Sequence, residues 1–307
     1  MEQNLSGTDA STNEVAPPRR VVVTGAFGNV GAAVVTALID RGVEVRAAER
    51  HPGRVAERFP GIEAVRLDFE DPTTFAAAAA DADAVFLIRP PAIARVGPTI
   101  NRFVDSLAQT SVEHVVFSSV AGADTNKVVP HHRIEQHLLA SGLAWTLLRP
   151  GFFSQNIGGP YRDDVVVDDR LYVPAARGRV AFVDARDLGE AAAIALCDPS
   201  YRGRALHLTG PVAVTFDDVA VMLSNALERT IRYEPASVLG YLRHRRRRGD
   251  PLVQCVVQTV LHVGLRRGDA EEVTDVLAEV LDRPPRSVRE YLADHRDLFV
   301  ASEHSSN

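Results

Sequence analysis

The segment Val21-Val22-Val23-Thr24-Gly25-Ala26-Phe27-Gly28-Asn29-Val30-Gly31 constrains this chain more than any other, because it joins an apolar strand to an apolar-faced helix through three glycines. Val21 to Val23 read as a buried strand. Ala32, Val34, Val35, Leu38 and Ile39 recur at the spacing of one packed helical face. Gly25 permits a tight turn, Gly28 lets backbone N–H groups approach an anion, and Gly31 lets the helix lie close to the sheet. The helix start then offers unpaired donors and the positive end of its dipole to a phosphate. Gly42 follows, and Val43 to Ala48 reads as a second strand ending at Glu49-Arg50. Strand, turn, helix and strand within about 30 residues form a mononucleotide-binding βαβ unit. The spacing is G-x-x-G-x-x-G, not the G-x-G-x-x-G of the most familiar dehydrogenases.

The alternation continues. Strands are expected at 62–67, 84–88, 114–118 and 143–149, with helices at 75–80, 98–111 and 130–141 between them. Repeated βα units imply a parallel sheet covered on both faces, an α/β doubly wound fold of Rossmann type. From Pro150 the pattern loosens into a Gly- and Pro-marked loop. A helix at 187–196, a strand at 204–208 and a helix start at Thr215 follow, and the region 237–299 is mostly helical. The expected organisation is a leader at 1–18, a nucleotide-binding unit at 19–150 rejoined by 185–210, a smaller and mostly helical C-terminal substrate lobe at 151–184 and 211–300, and a tail at 301–307.

With 307 residues, 24% charged and 46% hydrophobic, the chain can bury a full core. A net charge of −6 argues against a general nucleic-acid partner. No apolar run reaches the length of a membrane span, and no signal peptide is evident, so a cytoplasmic protein without a membrane partner is expected. Cys197 and Cys255 read as free thiols. The run Arg243-His244-Arg245-Arg246-Arg247-Arg248 is either a solvated helix end or a contact for an acidic partner or a phosphate.

Several motifs together resemble one family. Thr24 to Gly31, Arg50 after the second strand, Ser118-Ser119 after the fifth, the stretch Ser141-Gly142-Leu143-Ala144-Trp145-Thr146-Leu147-Leu148-Arg149-Pro150-Gly151-Phe152-Phe153, Phe182 to Glu190, and Asp282-Arg283-Pro284-Pro285 resemble the NmrA-like group of atypical short-chain dehydrogenases/reductases. The resemblance spans most of residues 20–300. It implies a Rossmann-type fold, NAD(P)(H), and a small C-terminal lobe over the nicotinamide end. Members of the group include reductases of quinones, azo dyes and phenylpropanoids, and also regulators that bind dinucleotide.

On this resemblance Thr24, Gly25, Phe27, Gly28, Asn29, Val30 and Gly31 cradle the cofactor, Asp68 and Phe69 lie near adenine, and Ile88, Arg89 and Pro90 line the adenosine pocket. Arg89 is unusual at its position and reaches toward phosphate in one reading. Arg50 matches the position that pairs with the 2′-phosphate of NADP, where a guanidinium can fork onto phosphate oxygens. Glu49 argues the other way, since a carboxylate there accepts from ribose hydroxyls. NADP(H) is the preferred cofactor and NAD(H) the alternative.

The Tyr-x-x-x-Lys pair of classical members is missing; Val128 to Glu135 contains no tyrosine. His131 falls where related reductases place a lysine, and an alignment one residue off would choose His132. Either imidazole can hold ribose or donate a proton, and either can be a surface residue at a helix start. Ser118 and Ser119 can meet nicotinamide or substrate, or cap the next turn. Phe152 at the cofactor, and Phe153, Gln155 and Asn156 at the substrate, suit a flat conjugated acceptor. No metal pattern is present. The leading expectation is an NAD(P)H-dependent reductase of a small carbonyl, quinone-like or conjugated substrate. A dinucleotide-sensing regulator with a protein partner and a dehydratase or epimerase-like enzyme are the alternatives, and a homodimer is compatible with each.

Overall fold

In the computed structural model, which describes residues 17–300, seven strands form one all-parallel sheet: β1 (Arg20–Thr24), β2 (Glu44–Glu49), β3 (Glu63–Arg66), β4 (Ala84–Ile88), β5 (His114–Ser118), β6 (Ala144–Pro150) and β9 (Arg204–Leu208). Their spatial order is β3-β2-β1-β4-β5-β6-β9. The order reverses between β1 and β4, which opens a crevice beyond the strand C-termini at that point. Residues 1–16 of the expected leader and the tail 301–307 lie outside the described residues.

Alternation along each strand sends side chains to two separate cores. Val21, Val23, Ala47, Phe86 and Leu148 face helices α1 (Asn29–Ile39) and α5 (Ala185–Cys197). Val22, Ala48, Val85, Leu87 and Phe117 face α2 (Phe75–Ala79), α3 (Arg102–Leu107) and α4 (Pro130–Ala140). This two-sided burial is why the strands read as continuous apolar runs rather than as alternating ones. Helices α1 and α5 touch through Gly189, where a Cβ would lie 2.4 Å from that of Ala33.

Two expectations are corrected. The single helix expected at 98–111 begins instead as a wide turn at Gly97–Asn101, in which Asn101 N–H donates to Val96 C=O at 2.9 Å, and only α3 is α-helical. Pro98 sits in that first turn, where a missing N–H takes nothing from the ladder. The loop expected after Pro150 contains two further strands, β7 (Arg170–Val173) and β8 (Arg179–Ala181). They pair with the distant β11 (Arg232–Pro235) and β10 (Ala213–Thr215). Their partners lie more than thirty residues away, so no local pattern announces them.

The C-terminal part contains α6 (Phe216–Leu227), α7 (Val238–Arg247), α8 (Leu252–Arg266), α9 (Val276–Leu281) and α10 (Val288–Asp294). The start expected at Thr215 is a full capping box with Asp218. A third core gathers Tyr161, Phe182, Phe216, Leu223, Tyr241 and Tyr291 under these helices. Because the α1–α5 contact leaves no room for a methyl group, Gly189→Ala is expected to cost about 1–3 kcal/mol, measured as a lower urea midpoint. An unchanged midpoint would contradict so close a contact.

Candidate active site

Gly25 has φ +68°, and a side chain there would meet Ile88 Cγ2 at 2.6 Å. Gly31 is tighter still: a Cβ would lie 2.1 Å from the Gly25 carbonyl oxygen. The two glycines therefore press the start of α1 against the end of β1. Gly28 is the N-cap and contributes no side chain, and the first turn holds no acid. Ala32 N–H donates to Gly28 C=O at 2.9 Å as the first intrahelical bond. The N–H groups of Asn29, Val30 and Gly31 thus have no acceptor within the helix. This cradle fits a dinucleotide pyrophosphate. Thr24 is not free to join it. Its hydroxyl donates to Phe86 C=O at 3.1 Å and accepts from Ile88 N–H at 2.9 Å, so it staples β1 to β4.

At the end of β2, Glu49 accepts the Phe27 N–H at 3.0 Å, and burial pushes its carboxyl above the usual range. Glu49 is therefore a latch on the glycine loop. Arg50 is exposed, with Asp68 at 3.5 Å and Glu70 at 3.6 Å. Arg54 lies over the Phe27 ring at 5.4 Å, and Arg58 donates to Phe27 C=O at 2.9 Å. Three exposed arginines thus stand near the end of β2, where the resemblance expects the adenosine. The family resemblance singles out only Arg50 among them. The spacing of Arg50, Arg54 and Arg58, each four residues apart, is the sequence signal for the other two. Phe69 is a core residue whose ring stands edge-on to Phe103.

Beyond β4 and β5 lies the pair Arg89 and His131. Arg89 Nη1 donates to the carbonyls of Pro90 (3.0 Å), Pro91 (3.2 Å) and Ile93 (2.8 Å), while its Nε donates to His131 Nε2 at 3.3 Å. No carboxylate pairs with Arg89 among the described residues. Burial lowers its pKa for want of one. Burial, and secondarily the Arg89 charge, pushes His131 down to about 4. Since Nε2 accepts, the proton of the neutral ring sits on Nδ1. Phe117 stacks on the imidazole. His132 is turned away, with Nδ1 on Ala123 C=O at 2.7 Å.

Ser118 ends β5, buried, and its hydroxyl has no hydrogen-bond partner among the described residues. Ser119 differs: its hydroxyl donates to Glu135 at 2.5 Å. Glu135, fully buried, also receives a bidentate pair from Arg149 at 3.0 and 2.7 Å. Ser119 and Arg149 thereby tie β5, α4 and β6 together, and the expected substrate role of Ser119 gives way to a structural one. Gln155 is corrected in the same way. Its amide donates to Asp184 at 2.9 Å and accepts from Ala185 N–H at 3.0 Å, clasping the start of α5. Asn156 makes no side-chain hydrogen bond among the described residues. Phe152 and Phe153 remain half-buried; Phe152 meets Phe182 and His262 edge-on.

Behind Phe152, Tyr161 donates to Nε2 of His262, whose Nδ1 donates to Gln258 C=O at 2.6 Å. The arginine run is partly internal. Arg245 donates to Pro160 C=O at 2.6 Å, and Arg248 reaches Asp164 at 2.8 Å and Asp168 at 3.0 Å. Arg243, Arg246 and Arg247 stay exposed. Among the described residues no group of three metal-ligating side chains converges.

Burial holds His114, His131 and His262 each at about 4. These folded values lie below the 6.5 of an unfolded histidine, so the stability they carry is complete above pH 6.5 and is lost as pH falls through 4. Each contributes at most about 3 kcal/mol. An NMR titration is expected to place the three imidazole midpoints near 4, with the unfolding free energy falling over the same interval. Midpoints near 6.5 would contradict the burial.

Residues 25–183 match the sequence profile of a family described as NAD(P)H-binding. A (4-alkanoyl-5-oxo-2,5-dihydrofuran-3-yl)methyl phosphate reductase of Streptomyces griseus is 30% identical over 288 residues, covering 91% of this chain and 99% of that one. An NAD(P)H azoreductase of Xenophilus azovorans is 28% identical, covering 92% of this chain and all of the relative. Among solved structures, the NADPH-dependent quinone oxidoreductase of Escherichia coli in complex with NADPH superposes with a TM-score of 0.81 at 21% identity, covering 89% of this chain and 99% of that one.

Proposed function

This chain belongs to the NAD(P)H-binding family of Rossmann-fold proteins related to the NmrA-like group, and from that premise we propose that it is an NADPH-dependent reductase of a small quinone-like or conjugated acceptor. The observation that carries the reading is the uncompensated Arg89 beside neutral His131, set at the strand ends next to the glycine cradle. The names of the relatives support it: they include an azoreductase, a quinone oxidoreductase and a reductase of a conjugated furanone. We take residues 19–150 with 185–210 as the cofactor-binding part, and 151–184 with 211–300 as the lobe that covers the acceptor. Two unpaired cysteines suit the reducing cytoplasm.

The residues fit the cofactor. Asn29, Val30 and Gly31 would hold the pyrophosphate by backbone N–H groups, and Arg50, Arg54 and Arg58 would favour the 2′-phosphate of NADPH over the bare ribose of NADH. Glu49, turned into the loop, does not oppose that phosphate, and Arg50 would exchange Asp68 and Glu70 for it. The bound nicotinamide supplies a hydride to the acceptor.

What remains is the negative charge that develops on the reduced acceptor. Arg89 is held by three carbonyls and cannot swing away, so its charge is in place before the reaction begins. His131, protonated on Nδ1, donates a hydrogen bond to the acceptor oxygen without being an acid of useful strength. Phe152 and Phe153 supply flat walls. Solvent delivers the final proton, which a quinone-like acceptor takes up without a strong general acid.

Purified protein is expected to oxidise NADPH with quinones or enones; binding of NADPH without turnover across such a panel would sink the reductase reading. Arg50→Ala with Arg54→Ala should weaken NADPH binding at least about tenfold and NADH binding far less, by fluorescence titration. Arg89→Met is expected to lower kcat about 10²-fold with NADPH affinity nearly unchanged. Loss of NADPH affinity with kcat intact would instead make Arg89 a phosphate ligand.

A further inference from the structure

The outer face of α8 is unlike the rest of the surface. From Leu252 to Leu265 the helix carries no Asp, Glu, Lys or Arg. Its inner face is packed through Cys255, Thr259, His262 and Leu265. Its outer face presents Leu252 (60% exposed), Val253 (75%), Val256 (46%), Val257 (53%), Val260 (65%) and Leu261 (50%). These positions follow one another at i, i+1, i+4, i+5, i+8 and i+9, so they cover about half the circumference of the helix without interruption. Single exposed aliphatics are ordinary on a protein surface, but a contiguous stripe of this kind marks a contact.

We propose that this stripe is the interface of a symmetric homodimer in which α8 packs antiparallel against α8 of a second copy. The six side chains expose on the order of 550 Å², against the roughly 800 Å² that each partner contributes to a standard interface, and a polar rim supplies the rest. Valine predominates, and its single preferred rotamer in a helix means that little freedom is lost on packing. The ends of the stripe also match. Exposed Arg243 and Arg247 precede it, and exposed Asp269, Glu271 and Glu272 follow it, alongside Arg266 and Arg267. A two-fold axis through the middle of the stripe brings the start of one stripe to the end of the other, so Arg243 and Arg247 approach Asp269, Glu271 and Glu272, two of which also pair within their own chain with Arg179 and His207 and all of which share that end with Arg266 and Arg267. An anionic bilayer fits less well. The stripe has no aromatic anchor, and at one end Asp269, Glu271 and Glu272 offset Arg266 and Arg267.

The test uses the full chain. Sedimentation velocity at concentrations up to about 100 μM, a range that detects even weak association, is expected to find twice the 33.3 kDa chain mass. The double variant Val253→Asp/Val260→Asp should be monomeric with an unchanged circular-dichroism spectrum and NADPH affinity. Copper–phenanthroline oxidation should cross-link Val257→Cys, near the axis, far more than Leu252→Cys, at the end. A wild-type monomer throughout, or a dimer that survives the double variant, overturns the proposal. Preferential cross-linking at Leu252→Cys overturns the antiparallel arrangement. A monomer that floats with phosphatidylglycerol vesicles through this face assigns it to lipid and overturns the dimer.

Discussion

The close approach of α1 to β1 is the constraint on which the rest of this molecule's geometry depends. A carbonyl oxygen at Gly25 occupies the place where a side chain of residue 31 would stand, so the helix start sits against the strand end with its first N–H groups uncovered. Glu49 then fixes the loop from the neighbouring strand, and Thr24 fixes the strand on its other side. The same closeness recurs at Gly189, which lets α5 lie directly on α1. A backbone brought this near to a helix terminus is an anion site before any side chain is considered.

Two arginines at adjacent strand ends show how the surroundings divide structure from chemistry. Arg149 is fully answered by Glu135, and its charge is spent holding β5, α4 and β6 in place. Arg89 is met only by carbonyl dipoles and a neutral imidazole. Carbonyls orient a guanidinium without cancelling its charge, so a positive field persists where the crevice opens. In the proposed reaction the missing Tyr-x-x-x-Lys pair gives way to this fixed charge, and the proton comes from solvent.

Legibility in the sequence differs from residue to residue. The glycine turn, the βα alternation and the capping box at Thr215 rest on interactions within a few residues of one another, and periodicity and turn chemistry report those directly. Ser119 and Gln155 are legible as polar residues near the site but not as structural ones. Their partners, Glu135 and Asp184, lie sixteen and twenty-nine residues away. Strands β7 and β8 escape for the same reason, since each exists only through a partner from the C-terminal part. Arg54 and Arg58 are within reach of a simple spacing argument.

The amino-acid sequence by itself determined that this chain folds as a doubly wound α/β unit with a dinucleotide cradle, because apolar periodicity and glycine placement act locally and leave few alternatives. Tertiary structure alone decided which polar residues remain available for chemistry. Whether a serine, a glutamate or an arginine is free depends on which groups long-range packing brings within hydrogen-bonding reach of it. That is how Glu49 became a latch, Ser119 a strut, and Arg89 an unanswered charge.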